Sequence, residues 1–71
     1  MRFLRAKVRD EDEELYFVTE HYYEQNPKAE RGPTVVLLLN PYGLMVANPN
    51  IEFTFTVYPW DKVLWTEVEA E

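Results

Sequence analysis

Thr34-Val-Val-Leu-Leu-Leu-Asn-Pro-Tyr-Gly-Leu-Met-Val-Ala47 is the stretch that decides how this chain folds. Two apolar runs flank Asn40-Pro41-Tyr42-Gly43, which puts proline at the second position of a turn and glycine at the fourth. That is the chemistry of a type I turn, so Thr34–Ala47 reads as a β-hairpin. The same punctuation recurs outward. Asn-Pro occurs again at Asn26-Pro27 and Asn48-Pro49, and Pro33 and Pro59 add two further breaks. Proline lacks the backbone donor and biases its predecessor away from helix. Between the breaks lie short runs rich in β-branched and aromatic residues, the signature of strands. Six are expected: Arg2–Arg9, Leu15–Tyr23, Thr34–Asn40, Leu44–Ala47, Ile51–Tyr58 and Val63–Val68.

The alternation within these runs sets their faces. Ile51, Phe53, Phe55 and Val57 share one side, and Glu52, Thr54 and Thr56 the other. At the start, Phe3, Arg5, Lys7 and Arg9 alternate with Leu4, Ala6 and Val8; at the end, Trp65, Glu67, Glu69 and Glu71 alternate with Leu64, Thr66, Val68 and Ala70. Laid antiparallel, the ends are expected to set Arg9 opposite Trp65, Lys7 opposite Glu67 and Arg5 opposite Glu69. Each such pair stabilises a sheet by ~0.2–1 kcal/mol, enough to favour a register. The acidic run Asp10–Glu14 links the first two strands, and Gln25–Pro33 is the longest loop. Closing the sheet through its two ends would protect edges that otherwise invite aggregation. The single turn expected at Pro59–Lys62 before the last strand is similar to the arrangement in SH3-like and Sm-like barrels. The expected fold is thus a single all-β domain, a small SH3-like or Sm-like barrel of five or six antiparallel strands. The SH3 peptide-binding motif itself is absent: there is no Ala-Leu-Tyr-Asp-Tyr run, tryptophan pair or terminal Ser-Asn-Tyr.

Composition narrows the function. The chain has 71 residues and no cysteine, so an apolar core must offset the ordering entropy without disulfide or thiolate–metal support. No run approaches the ~20 apolar residues that span a bilayer, and the basic N-terminus is followed by no signal-peptide stretch. A soluble, cytoplasmic protein without cofactor, metal or membrane partner is expected. There is no serine, and His21 is the only histidine. The two commonest nucleophiles are missing, and His21 lies within an expected strand without a placed carboxylate partner. Asp10, Asp12 and Glu14 have the first spacings of a calcium loop, but Leu15 replaces its glycine and His21 its closing glutamate. The chain therefore reads as a non-enzyme.

Two binding classes remain. Arg5, Lys7 and Arg9 form a basic stripe that, with aromatic platforms, is the composition of a single-strand nucleic-acid binder. The net charge of −6 and the facing Glu67 and Glu69 count against it. The stronger expectation is a protein-interaction module or accessory protein that binds a larger protein or itself. Val35–Leu39 is apolar on both faces, where one face of an antiparallel sheet normally meets water. Val36 and Leu38 on that strand, Tyr22 and Tyr23 on opposite faces of the second strand, Tyr42 in a turn and Trp60 at a corner make up the expected contact surface. Size and acidity fit an inhibitor or adaptor of the kind that viruses and mobile elements encode; a structural subunit of an assembly would use the same apolar surplus.

Overall fold

A computed structural model describes residues 2–50 and 54–70. Its elements are β1 (Phe3–Asp10), β2 (Glu13–Val18), α1 (Glu20–Gln25), β3 (Val36–Asn40), β4 (Gly43–Ala47), β5 (Phe55–Pro59), a 3-10 turn (Trp60–Lys62) and β6 (Val63–Val68). The strands form two three-stranded antiparallel sheets, ordered β2-β1-β6 and β3-β4-β5, rather than a closed barrel. The all-β class, the 34–47 hairpin and the turn before the last strand match the sequence expectation. Ile51, Glu52 and Phe53, the first half of the strand expected at 51–58, lie outside the described residues. No helix among the described residues is long and apolar enough to cross a membrane.

The two sheets meet over an apolar core. Phe3, Ala6 and Val8 of β1 pack against Leu37 of β3 and Leu44 and Val46 of β4, all buried. Phe17 of β2 and Tyr58 of β5 close one flank, their ring centres 5.8 Å apart. Burial and the adjacent Asp10 charge push the Tyr58 hydroxyl pKa up. Phe3 reaches this core although alternation places it with Arg5 and Lys7. The β1–β6 register shifts between Phe3 and Arg5, where Leu4 is the extra residue, and again between Lys7 and Val8, where Leu64 is. A bulge of this kind flips the parity of whatever precedes it.

The ends do pair, but two residues out from the expected register. Arg5 lies opposite Glu67 and Lys7 opposite Trp65, and the Glu69 amide donates to the Arg2 carbonyl at 2.9 Å. A shift of two keeps every side chain on its face, so alternation cannot detect it. The second correction concerns Leu15–Tyr23. Its strand stops at Val18 and the chain turns into α1, so His21, Tyr22 and Tyr23 are helical. Glu20 in the first turn suits the positive end of a helix, and Asn26-Pro27 ends it. Thr19 occupies the N-cap position without capping. Its buried hydroxyl lies 3.0 Å from the carbonyl oxygens of both Phe3 and Leu4, clamping the end of β2 to the β1 bulge. Tyr22 and Tyr23 therefore do not point to opposite faces of a sheet; their rings meet edge to face, 5.5 Å apart.

The acidic link is a tight turn of Glu11 and Asp12, closed by the Asp10–Glu13 pair. Glu11 has φ 57°, a conformation that glycine adopts without penalty and glutamate does not.

Candidate functional site

The β3-β4-β5 sheet presents two faces set by its register. Val36, Ala47 and Phe55 form one row across the strands, Leu38, Met45 and Val57 the next, and Asn40, Gly43 and Pro59 the third. All nine positions face away from Leu37, Leu44 and Val46, hence away from the core. Asn40 alone among them has a polar side chain. Val36 is 39% exposed, Leu38 46% and Phe55 59%. Such a contiguous apolar face marks a contact surface more often than a solvated one. The alternation of Phe55 and Val57 was legible in the sequence; their direction was not, and it is outward. Leu39 faces inward beside Leu37 but lies at the sheet's edge and is 64% exposed.

Gly43 holds this sheet together at its turn end. A Cβ there would fall 2.0 Å from the Tyr58 carbonyl oxygen, so only glycine lets β4 and β5 approach. Asn40 Oδ1 accepts the Tyr42 amide at 2.9 Å and fixes the turn, leaving Tyr42 82% exposed. Tyr42 precedes Gly43 and Trp60 follows Pro59, and Gly43 and Pro59 are paired. Both aromatics therefore mark the same end of the sheet. Of the residues expected to make contacts, the fold brings Val36 and Leu38 onto one face, with Tyr42 and Trp60 at its end.

Tyr22 and Tyr23 are used elsewhere, within the molecule. The Tyr23 hydroxyl accepts the Gly32 amide at 3.0 Å, and the Arg31 guanidinium sits 5.0 Å from its ring centre. Arg31 also pairs with Glu20, which accepts the Thr34 hydroxyl at 2.9 Å. These contacts hold the Glu20 carboxyl below the usual carboxylate range, the Arg31 hydrogen bond being the main cause. Tyr23 thus fastens the long loop, and Tyr22 flanks Arg5.

The outward face of the β2-β1-β6 sheet carries Arg5, Lys7, Arg9, Glu14 and Glu67 around Tyr16 and Trp65. The Arg5 guanidinium donates to the Tyr16 hydroxyl and to Glu67, each at 3.1 Å. It lies 5.1 Å from the Tyr22 ring centre and 5.4 Å from that of Trp65. The Tyr16 and Glu67 bonds push its pKa further up. Arg9 pairs with Glu14 at 3.0 Å and Lys7 with the same carboxylate at 3.5 Å. All three cations of the basic stripe are thus engaged with carboxylates. Trp65 is half exposed and packs against Tyr16 at a tilt, 6.1 Å between ring centres. His21 Nδ1 lies 3.1 Å from Arg2 Nη1. Among the described residues no group of three or more His, Asp or Glu side chains is placed to hold a metal ion.

A cleft of about 210 Å³ opens beside β3, lined by Arg2, Phe3, Thr19, Val35, Leu37 and Leu38 among others. Its two charged neighbours are already paired: Arg2 Nη2 donates to Glu69 at 2.7 Å, and Glu20 pairs with Arg31. The cleft is therefore an apolar space with a neutralised rim.

The outward apolar face also includes Met45, Ala47, Phe55 and Val57, which the expected contact set did not name. Charge distribution was the signal that could have found them. From Pro33 to Trp60 the only charged residue is Glu52, while the remaining 19 of the 20 charged residues lie outside that stretch. No protein-family model, curated protein or solved structure matches this chain.

Proposed function

We propose that this chain is a non-enzymatic protein-interaction module that works through its uncharged β3-β4-β5 sheet, with a second copy of itself as the first occupant. The observation that carries the reading is the segregation of charge: one sheet turns Arg5, Lys7, Arg9, Glu14 and Glu67 to solvent, the other turns Val36, Leu38, Met45, Phe55 and Val57. A net charge of −6 opposes self-association in general. Placing the charge on the far sheet removes that objection for contacts made by the neutral one. The strand order and the 3-10 turn before β6 support an SH3-like relationship for the domain, and the missing cysteines support a reducing, cytoplasmic setting. The paired stripe of Arg5, Lys7 and Arg9 weighs against phosphate-led nucleic-acid binding, which requires free cations.

Light scattering on Leu38→Lys and Lys7→Gln tests the proposal. Leu38→Lys puts a charge on the neutral sheet and is expected to leave a monomer; Lys7→Gln, on the charged sheet, is expected to leave the assembly intact. Loss of assembly with Lys7→Gln and its persistence with Leu38→Lys would place the contact on the wrong sheet.

A further inference from the structure

We infer that two copies of the chain join through the free edge of β3, in antiparallel register about Leu38, with Leu39 of each seated in the cleft of the other. This rests on the self-association reading above and specifies its geometry. Natural edge strands carry charges, prolines or bulges that stop them from pairing with other chains. Three of the four edges here are so equipped. β2 has Glu13 and Glu14, β6 has Glu67 and an irregular register, and β5 has Pro59. β3 has no charge and no proline, and its register with β4 is regular.

The hairpin fixes which backbone groups are free. A two-residue loop makes its closing pair, Asn40–Gly43, a hydrogen-bonded one. Bonded pairs alternate, so Leu38 and Val36 also bond toward β4, and the N–H and C=O groups of Leu37 and Leu39 point to the open side. Val35 has the same parity, and its amide indeed leaves the sheet to reach the Val18 carbonyl at 2.9 Å. In a two-fold pairing about Leu38, Leu37 of one copy exchanges both hydrogen bonds with Leu39 of the other, and the reverse. The pairing completes four backbone hydrogen bonds without disturbing the Val35–Val18 bond.

The side chains agree with this register. Leu39 of the second copy lies opposite Leu37 and diagonal to Val35, on the inward side, where Phe3, Val35 and Leu37 line the cleft. An apolar cavity of roughly 150 Å³ takes a benzene ring, so this one has room for a leucine. The exposure of Leu39 thereby finds its cover. No charged residue lies between Pro33 and Ile51 to repel the approach, and the two neutral outward faces run on as one.

Cysteine cross-linking tests the register, since the chain has no cysteine of its own. The Leu38 pair would be a non-hydrogen-bonded one with Cα atoms ~4.5 Å apart, within disulfide range. Leu38→Cys is expected to convert to a covalent dimer under mild oxidation, while Phe55→Cys, two strands from the seam, stays uncoupled. Leu39→Glu is expected to weaken the dimer roughly a hundredfold, and Phe55→Lys to leave it unchanged. If Phe55→Lys breaks the assembly while Leu39→Glu does not, and Leu38→Cys fails to cross-link, the edge geometry is overturned and the interaction module stands. A native chain that never associates overturns both.

Discussion

Replacing Thr19 with valine removes one hydroxyl and almost no volume, and the structure predicts a disproportionate cost. Thr19 is 4% exposed, and its hydroxyl is shared between the Phe3 and Leu4 carbonyl oxygens. The Leu4 oxygen keeps a partner after the change, because the Thr19 amide donates to it at 2.9 Å. The Phe3 oxygen loses its side-chain donor at the bulge that turns Phe3 into the core. A lost hydrogen bond costs about 1 kcal/mol, and leaving a buried acceptor under-satisfied adds about 1 more. The expected loss is therefore ~2 kcal/mol, against a total stability of ~4–10 kcal/mol for a chain of this length. With ~4–8 °C per kcal/mol for small domains, the thermal midpoint is expected to fall by roughly 8–16 °C. Thr19→Ser keeps the hydroxyl and is expected to lose less than half as much. Urea titration followed by circular dichroism gives both values. A Thr19→Val protein within ~0.5 kcal/mol of the native one, a difference ordinary for exposed sites, would refute the clamp and with it the explanation of the β1 bulge.

Gly43→Ala is expected to destabilise by about 3 kcal/mol or to prevent folding, since the added methyl meets the Tyr58 carbonyl and backbone cannot yield cheaply; chemical denaturation reads the change. Glu11→Gly is expected to stabilise by about 1 kcal/mol, by relieving the left-handed backbone and one like charge in the acidic turn; an unchanged unfolding midpoint would contradict this. The Glu69 carboxyl is held below the usual range by Arg2, as Glu20 is by Arg31. Because the folded-state values are depressed, this stabilisation is present above the unfolded value near 4.5 and is lost as pH falls through the lower folded values. Thermal midpoints are thus expected to drop on acidification below that value, with a shallower drop in an Arg2→Gln, Arg31→Gln double variant.

Local patterns written at period two were legible in the sequence, and relations between strands were not. The hairpin at 34–47 carried its own turn chemistry, and Val63–Val68 could be bounded to the residue. The β1–β6 seam was visible as matched charges, but its register depended on bulges at Leu4 and Leu64 and on Lys7 lying between Tyr16 and Trp65. No alternating pattern distinguishes registers two residues apart. α1 was missed because Thr19, Tyr22 and Tyr23 favour strand by propensity, while tertiary bonds from Thr19 and Tyr23 decide for a helical turn. The outward apolar face was half legible. A doubly apolar β3 pointed to the face that carries Val36 and Leu38, whereas the contacts of Tyr22 with Arg5 and of Tyr23 with Gly32 and Arg31 join residues distant in sequence. Alternation put Phe55 and Val57 on one side without saying which; they line the outer face because the inward row of β5 runs through Thr56 and Tyr58.

Sedimentation equilibrium of the native chain, from about 1 to 500 μM and with salt raised roughly from 0.05 to 0.5 M, tests the contact role of the uncharged sheet most directly. An apolar, hydrogen-bonded seam remote from the charged sheet predicts a mass rising from 8.5 kDa to twice that value, with an affinity that holds or tightens as salt increases. A mass fixed at the monomer value throughout, or an assembly that dissolves as salt screens charge, would contradict it.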